Sequence, residues 1–220
     1  MNKLESASSD ITTHIQGLLW SRKLLGINNK TLFNECITVE SFLNEKYPVA
    51  ESIDTFGSQT TLNFKNYNIF TFISPCFQQL YWKVRDTVIP YLQDEPYTIN
   101  GWLNVFKKGT NINWHGHWPT NFRALHGFYC VNTEPDSFTE YKFPGSLLSK
   151  SEESAEKKIY RVDSEDGLLV FGKSMDDNHR SSIWHDDLRP RITIAFDIIP
   201  TATILKYHKF HHNFYIPLKY

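Results

Sequence analysis

The apolar period of this chain changes once, near residue 96, and that change limits the folds open to it. Up to that point the clearest segment is helical. Phe77, Leu80, Tyr81, Val84, Val88 and Leu92 recur at three-to-four spacing, a stripe suited to lie on a sheet. Ser74 is placed to cap this helix, Pro75 suits its first position, and Pro90 should end it. A shorter amphipathic helix is expected over Thr31 to Tyr47, with Phe33, Cys36, Ile37, Phe42 and Leu43 turned inward. From Tyr97 to Phe106 the period is two: Trp102, Asn104 and Phe106 share one face, and Ile99, Leu103 and Val105 the other. Further strands are expected at Asn111 to Trp118, Ala124 to Asn132, Lys158 to Asp163, Gly167 to Gly172 and Arg191 to Ile199, with a polar crossing from Lys173 to Pro190. Helices first and many short antiparallel-looking strands afterwards suggest an α+β, mainly β architecture: a double-stranded β-helix, or jelly roll, with N-terminal supporting helices. No repeat or linker divides the chain. One domain is expected over 1–220, with support in 1–95, a core in 96–200 and an extension in 201–220.

Within that β region lies Asn113-Trp114-His115-Gly116-His117-Trp118-Pro119. On extended backbone, positions two apart point the same way, so His115 and His117 can grip one ion together, which a helix would not allow. An open metal site needs a third ligand, and His179 and His185 both follow the Gly167–Gly172 strand at a distance the fold can close. Beyond them, Arg191 and Thr193 share one strand face while Ile192, Ile194 and Phe196 pack on the other. A guanidinium beside a hydroxyl makes a clamp for a carboxylate. The alternative for Arg191 is an outward position or a pairing with Asp186 or Asp187.

Composition narrows the setting. Charged residues are 21% and hydrophobic residues 40% of 220, an ordinary globular balance, and the formal net charge of −1 offers no field for nucleic acid. Cys36, Cys76 and Cys130 are odd in number and widely spaced, which argues for a reducing, cytoplasmic setting rather than a disulfide framework. No apolar run is long enough to span a membrane, and residues 1–10 lack the apolar stretch of a signal peptide. The run from Lys150 to Lys158 reads as a solvated insertion, and His208, His211 and His212 as a surface tail. His126 reads as a structural histidine and Cys130 as buried filler.

The ordered set of Trp102-Leu103-Asn104, a run ending in His117-Trp118-Pro119, Gly127-Phe128-Tyr129, a later L-x-x-F, and Arg191-Ile192-Thr193 leading to Phe196 resembles the 2-oxoglutarate/Fe(II)-dependent oxygenases. Within them it is similar to the small oxygenases common in phage and bacterial genomes. The resemblance spans Tyr97 to Ile199, with Asn213 to Leu218 as a closing segment. It implies an Fe(II)- and 2-oxoglutarate-dependent dioxygenase, a hydroxylase that uses O2 on a small-molecule or peptidyl substrate. By the same resemblance His115 and His179 are metal ligands, His179 being preferred to His185 for its interval to Arg191. Arg191 and Thr193 receive the far carboxylate of 2-oxoglutarate, Asn104 and Tyr129 hydrogen-bond it, and Trp114 and Trp118 roof the substrate pocket. The departure is at 117, where the common pattern has a carboxylate. Either His117 completes a three-histidine face, the preferred reading, or it stands behind the metal and Asp176, Asp177, Asp197 or a water completes the shell. Two other readings stay open: a cupin-like three-histidine enzyme without 2-oxoglutarate, and a non-catalytic binding module.

Overall fold

A computed structural model describes residues 10–48, 58–119, 122–144, 157–174, 178–207 and 214–220. The two expected helices form as α1 (Asn29–Lys46) and α3 (Pro75–Val88), joined through the single turn α2 (Gln59–Leu62). Asn28 caps α1 by accepting from the Thr31 amide, and Ser74 caps α3 by accepting from Cys76 and Phe77. The buried stripe of α1 is Leu32, Cys36, Val39 and Leu43. Phe33 and Ile37 are only partly buried and Phe42 is 49% exposed, so the inward face is rotated from the expected one. Aliphatic side chains at i, i+4 and i+7 fill the narrow seam against the sheet, and the bulky rings are left at its margins.

The fold is a jelly roll. A seven-stranded sheet runs β1-β2-β7-β4-β9-β3-β10, and a three-stranded sheet runs β6-β5-β8. Its strands are β1 (Thr12–Ile15), β2 (Leu19–Lys23), β3 (Tyr97–Phe106), β4 (Leu125–Asn132), β5 (Phe138–Pro144), β6 (Lys157–Asp163), β7 (Leu168–Lys173), β8 (Asn178–Ser181), β9 (Arg191–Pro200) and β10 (Ile216–Lys219). A last short helix, α4 (Thr201–Tyr207), follows β9. All described strand pairs are antiparallel. The stretch around His14–Ile27 is thus a hairpin, β1–β2, that adds an edge to the large sheet.

The expected strand over Asn111–Trp118 does not form. Gly116 and Pro119 interrupt it, and the segment is irregular apart from one isolated bridge, His115 with His179. The polar crossing after Lys173, in turn, contains β8, whose four residues show no apolar alternation. The charge run at 150–156 and the histidines at 208–212 lie outside the described residues.

Period-two alternation on β3, β4 and β9 divides the large sheet into two faces. Ile99, Leu103, Val105, Tyr129, Ile192, Ile194, Phe196 and Ile198 are buried with α1 and α3 in the main core. The other face carries Trp102, Asn104, Phe106, His126, Arg191 and Thr193 around a narrow pocket, closed on the far side by Thr139, His179 and Ser181 of the small sheet. Central packing leaves no slack at Gly127 of β4. A Cβ there would lie 2.5 Å from the Val170 carbonyl oxygen and 2.6 Å from Phe196 Cζ. Backbone cannot swing aside as a flexible side chain can. Gly127→Ala is therefore expected to cost about 2 kcal/mol and to lower the melting temperature by about 4–8 °C. A calorimetric scan checks this, and an unchanged midpoint would contradict the packing described.

Candidate metal centre

Three imidazoles from two distant segments meet between the sheets. The donor atoms of His115, His117 and His179 all lie within 4.8 Å of one another. Two backbone hydrogen bonds position two of them: His115 N–H to the His179 carbonyl at 3.1 Å, and the reverse at 2.9 Å. Their ring centroids are 4.2 Å apart, and His117 lies 5.4 Å from His115 and 5.1 Å from His179. Ligands sharing one ion at about 2.1 Å sit roughly 3 Å from each other, so binding draws these rings inward by side-chain rotation.

Hydrogen bonds settle which ring nitrogens can take an ion. His115 Nδ1 lies 2.8 Å from the Asn113 carbonyl, which can only accept, so the proton is on Nδ1 and the lone pair on Nε2. His117 Nδ1 lies 2.7 Å from Asp197 Oδ1, while Asp197 Oδ2 accepts from the Trp118 indole N–H at 2.8 Å. Burial pushes the Asp197 carboxyl up, but the His117 charge and the bonds from His117 and Trp118 outweigh it, and the group stays below the ordinary carboxylate range. An ionised partner of this kind fixes the imidazole orientation and raises its basicity. With both oxygens engaged, Asp197 supports the His117 ring and stands outside the three-histidine group. Asp176 and Asp177 lie outside the described residues.

Burial, with the charges of His115, His126 and His117 added, holds the His179 imidazole well below its usual value and therefore neutral, the form that ligates. Its Nδ1 is buried with no hydrogen-bond partner among the described residues. His126 is equally buried and stacks on His117 at 4.6 Å and on His179 at 4.9 Å, both nearly parallel. It packs the rings and is not among the three donors. His185 is exposed and bonds Glu134 through Nδ1 at 3.0 Å, far in role from the triad.

The expected carboxylate clamp lies in the same pocket as the triad. Arg191 is 2% exposed, its only hydrogen bond among the described residues is a long 3.4 Å contact from Nη2 to Ser164 Oγ, and Nε and Nη1 have no partner. Burial lowers its pKa, but a guanidinium stays charged in any protein. The neighbouring Cys130 thiol does not neutralise it, because burial pushes that thiol up to about 11 despite Arg191. A buried cation with two unanswered N–H groups costs several kcal/mol unless an anion answers it. Thr193 stands beside it on β9, joined to Asn104 by an Nδ2–Oγ1 hydrogen bond of 3.1 Å, and Asn104 also accepts from Thr61. His115, His117, His179, Arg191, Thr193 and Asn104 are thus brought together.

Two expected residues are not. Tyr129 falls on the helix-facing side of β4, and its hydroxyl donates to Asn29 Oδ1 at 2.6 Å; alternation reverses it relative to His126. Trp114 packs outside the cavity between two cations, Lys142 at 5.0 Å and Arg180 at 4.8 Å from its ring. Trp118 does line a cavity, a second one that it shares with His115 and His117. Sequence reasoning named Asp197 only as a possible ligand and missed Asn100 and Ser164.

No protein-family model matches the chain, and no curated protein matches it. Solved structures do. A prolyl hydroxylase from Trichoplax adhaerens, solved with a hypoxia inducible factor peptide fragment, is 13% identical, with a TM-score of 0.55 over 84% of each chain. AviO1 from Streptomyces viridochromogenes is 11% identical, with a TM-score of 0.53 over 82% of this chain and 88% of that one. The non-heme alpha ketoglutarate dependent epimerase SnoN, from nogalamycin biosynthesis, is 15% identical, with a TM-score of 0.50 over 83% and 78%. At such identities the likeness is one of fold.

The geometry sets an expectation for the metal. Asp197→Asn should weaken Mn(II) binding roughly 10–100-fold, His179→Ala should abolish it, and His185→Ala should leave it unchanged. Mn(II) titration by electron paramagnetic resonance checks this. Loss of binding in the His185 variant with retention in the His179 variant would reverse the assignment.

Proposed function

We propose that the protein, one unit over 1–220, is an Fe(II)- and 2-oxoglutarate-dependent dioxygenase, a hydroxylase in its simplest form. The observation that carries this is the placing of an unanswered buried guanidinium, Arg191, in the pocket that the three-histidine group closes. A metal site alone fits many enzymes. A metal site with a buried cation beyond it fits a co-substrate that chelates at one end and is anionic at the other. The comparison structures share the fold, and one of them, SnoN, is named as alpha ketoglutarate dependent, which supports the reading. So does the ordered set of motifs, similar to the small oxygenases of phage and bacteria.

In this account His115 and His117 present Nε2 to the iron and His179 completes the face, leaving positions for 2-oxoglutarate and O2. Bound together, ferrous iron and 2-oxoglutarate supply an oxidant from O2 strong enough for a C–H bond, with succinate and CO2 as by-products. The chain's own work is to hold and orient. Arg191 receives the far carboxylate, Thr193 adds a hydroxyl donor, and Asn104 fixes the Thr193 rotamer from the neighbouring strand. Asp197 holds His117 through its Nδ1 proton and supplies, one bond further out, the negative charge that the common H-x-[DE] pattern places on the metal. The walls of Phe106, Ala195 and Trp102 keep bulk water from the reacting centre.

A three-histidine face also fits an oxidative metalloenzyme that needs no 2-oxoglutarate. Arg191 decides between them. Arg191→Met keeps the side-chain volume and removes the cation, a change that a buried site tolerates. It is expected to weaken 2-oxoglutarate binding about 100-fold while leaving Mn(II) affinity unchanged, as read by calorimetry on Mn(II)-loaded protein. Anaerobically iron-loaded wild type should consume O2 and form succinate. Absence of 2-oxoglutarate binding in the wild type, with the variant indistinguishable from it, would end the proposal.

A further inference from the structure

A second, larger cavity of about 610 Å³ opens on the outer side of His115 and His117, away from Arg191. Its volume is that of a small-molecule pocket rather than a groove for an extended chain. The walls are aromatic: Phe64, Trp102, Trp118, Phe214 and Tyr215. Trp102 links the wall to the histidines, because its ring lies 5.5 Å from that of Phe64 in a tilted contact and 5.8 Å from that of His117 in a near-stacked one. A flat ring slid between these walls therefore arrives beside the metal group.

Two polar residues of this chamber keep binding capacity that no described residue takes up. Asn100, directly across from Asp197 in the β3–β9 register, is 3% exposed. Its Nδ2 donates to the Phe64 carbonyl at 3.4 Å, which fixes the amide orientation, and its Oδ1 is buried with no hydrogen-bond partner among the described residues. A buried acceptor left unanswered costs about 1–3 kcal/mol, and no donor among the described residues meets it. At the rim, Lys65 is exposed and makes no ion pair among the described residues. Its ammonium rests 5.5 Å from the Phe64 ring, over the same wall.

We infer that the second substrate is a compact, flat-ringed acid: an aromatic or fused-ring small molecule whose hydroxyl or amine donates to Asn100 Oδ1 and whose carboxylate or other anionic end meets Lys65. That this molecule is the one oxidised rests on the oxygenase reading; its binding does not. Burial keeps the Tyr215 hydroxyl protonated, so the wall adds a second donor for the same ligand rather than a repelling charge.

The test uses the full chain, loaded with Mn(II) and 2-oxoglutarate and repeated unloaded, with three fluorescent probes: 6-hydroxy-2-naphthoate, 2-naphthoate and 2-naphthol. The first, carrying both donor and anion, is expected to bind roughly tenfold tighter than either of the others. Asn100→Ala should erase its advantage over 2-naphthoate, and Lys65→Glu its advantage over 2-naphthol. Lys65 is a surface residue, so its variant reports even if the Asn100 variant melts early. Equal affinity for the three probes, preferences that survive the substitutions, or no binding of any probe would overturn the inference. Metal and 2-oxoglutarate binding are read separately on the same samples. Their loss with the probe preferences intact overturns the oxygenase reading alone, and the converse overturns this one alone.

Discussion

Everything at the centre depends on two backbone hydrogen bonds between residues remote in sequence, His115 and His179. The segment carrying His115 belongs to no sheet, and β8, which carries His179, is a four-residue edge of the small sheet. Joined, they bring two imidazoles to 4.2 Å and carry His117 along, two residues further on. Neighbouring contacts of the same kind extend the seam: Ser181 N–H to the Ile112 carbonyl and Trp184 N–H to that of Thr110. Backbone bonds fix position without constraining side-chain rotation, so the site is assembled yet its rings can still close on an ion.

Charge is balanced in layers from that seam outward. The three-histidine group itself contains no carboxylate. Asp197, on the central strand β9, restores it at one remove through His117, flanked in register by Asn100 on β3 and His126 on β4. Six positions earlier on the same strand face, Arg191 carries the opposite charge, and no carboxylate among the described residues pairs with it. One strand thus presents an anion under the three-histidine group and a cation beyond it, separated by Thr193 and Ala195. A dianionic co-substrate with one chelating end complements that order.

Much of this was legible in the residues, and the failures have physical causes. Ser74-Pro75 and the Phe77-to-Val88 stripe specify α3, because cap and period are local properties. Alternation on β3 and β9 assigned Asn104, Arg191 and Thr193 to the inner face, because a half-buried strand must alternate. The Asn111–Trp118 strand was wrong: the same spacing places His115 and His117 on one side of any extended backbone, whether or not it pairs. Tyr129 was misplaced because β4 is buried on both faces, and a strand apolar throughout does not reveal which side its hydrogen-bonding groups take. β8 has only four residues and no apolar alternation. Asn100 and Asp197 acquire meaning only when β3 and β9 lie in register, which is tertiary information.

The most direct test is a crystal structure of the full chain grown with Mn(II) and N-oxalylglycine, the unreactive analogue of 2-oxoglutarate. The account requires one anomalous peak bonded to Nε2 of His115, Nε2 of His117 and a nitrogen of His179, with the analogue chelating it and its far carboxylate on Arg191 and Thr193. A metal held by other side chains, or an analogue whose carboxylate leaves Arg191 unanswered, would contradict it.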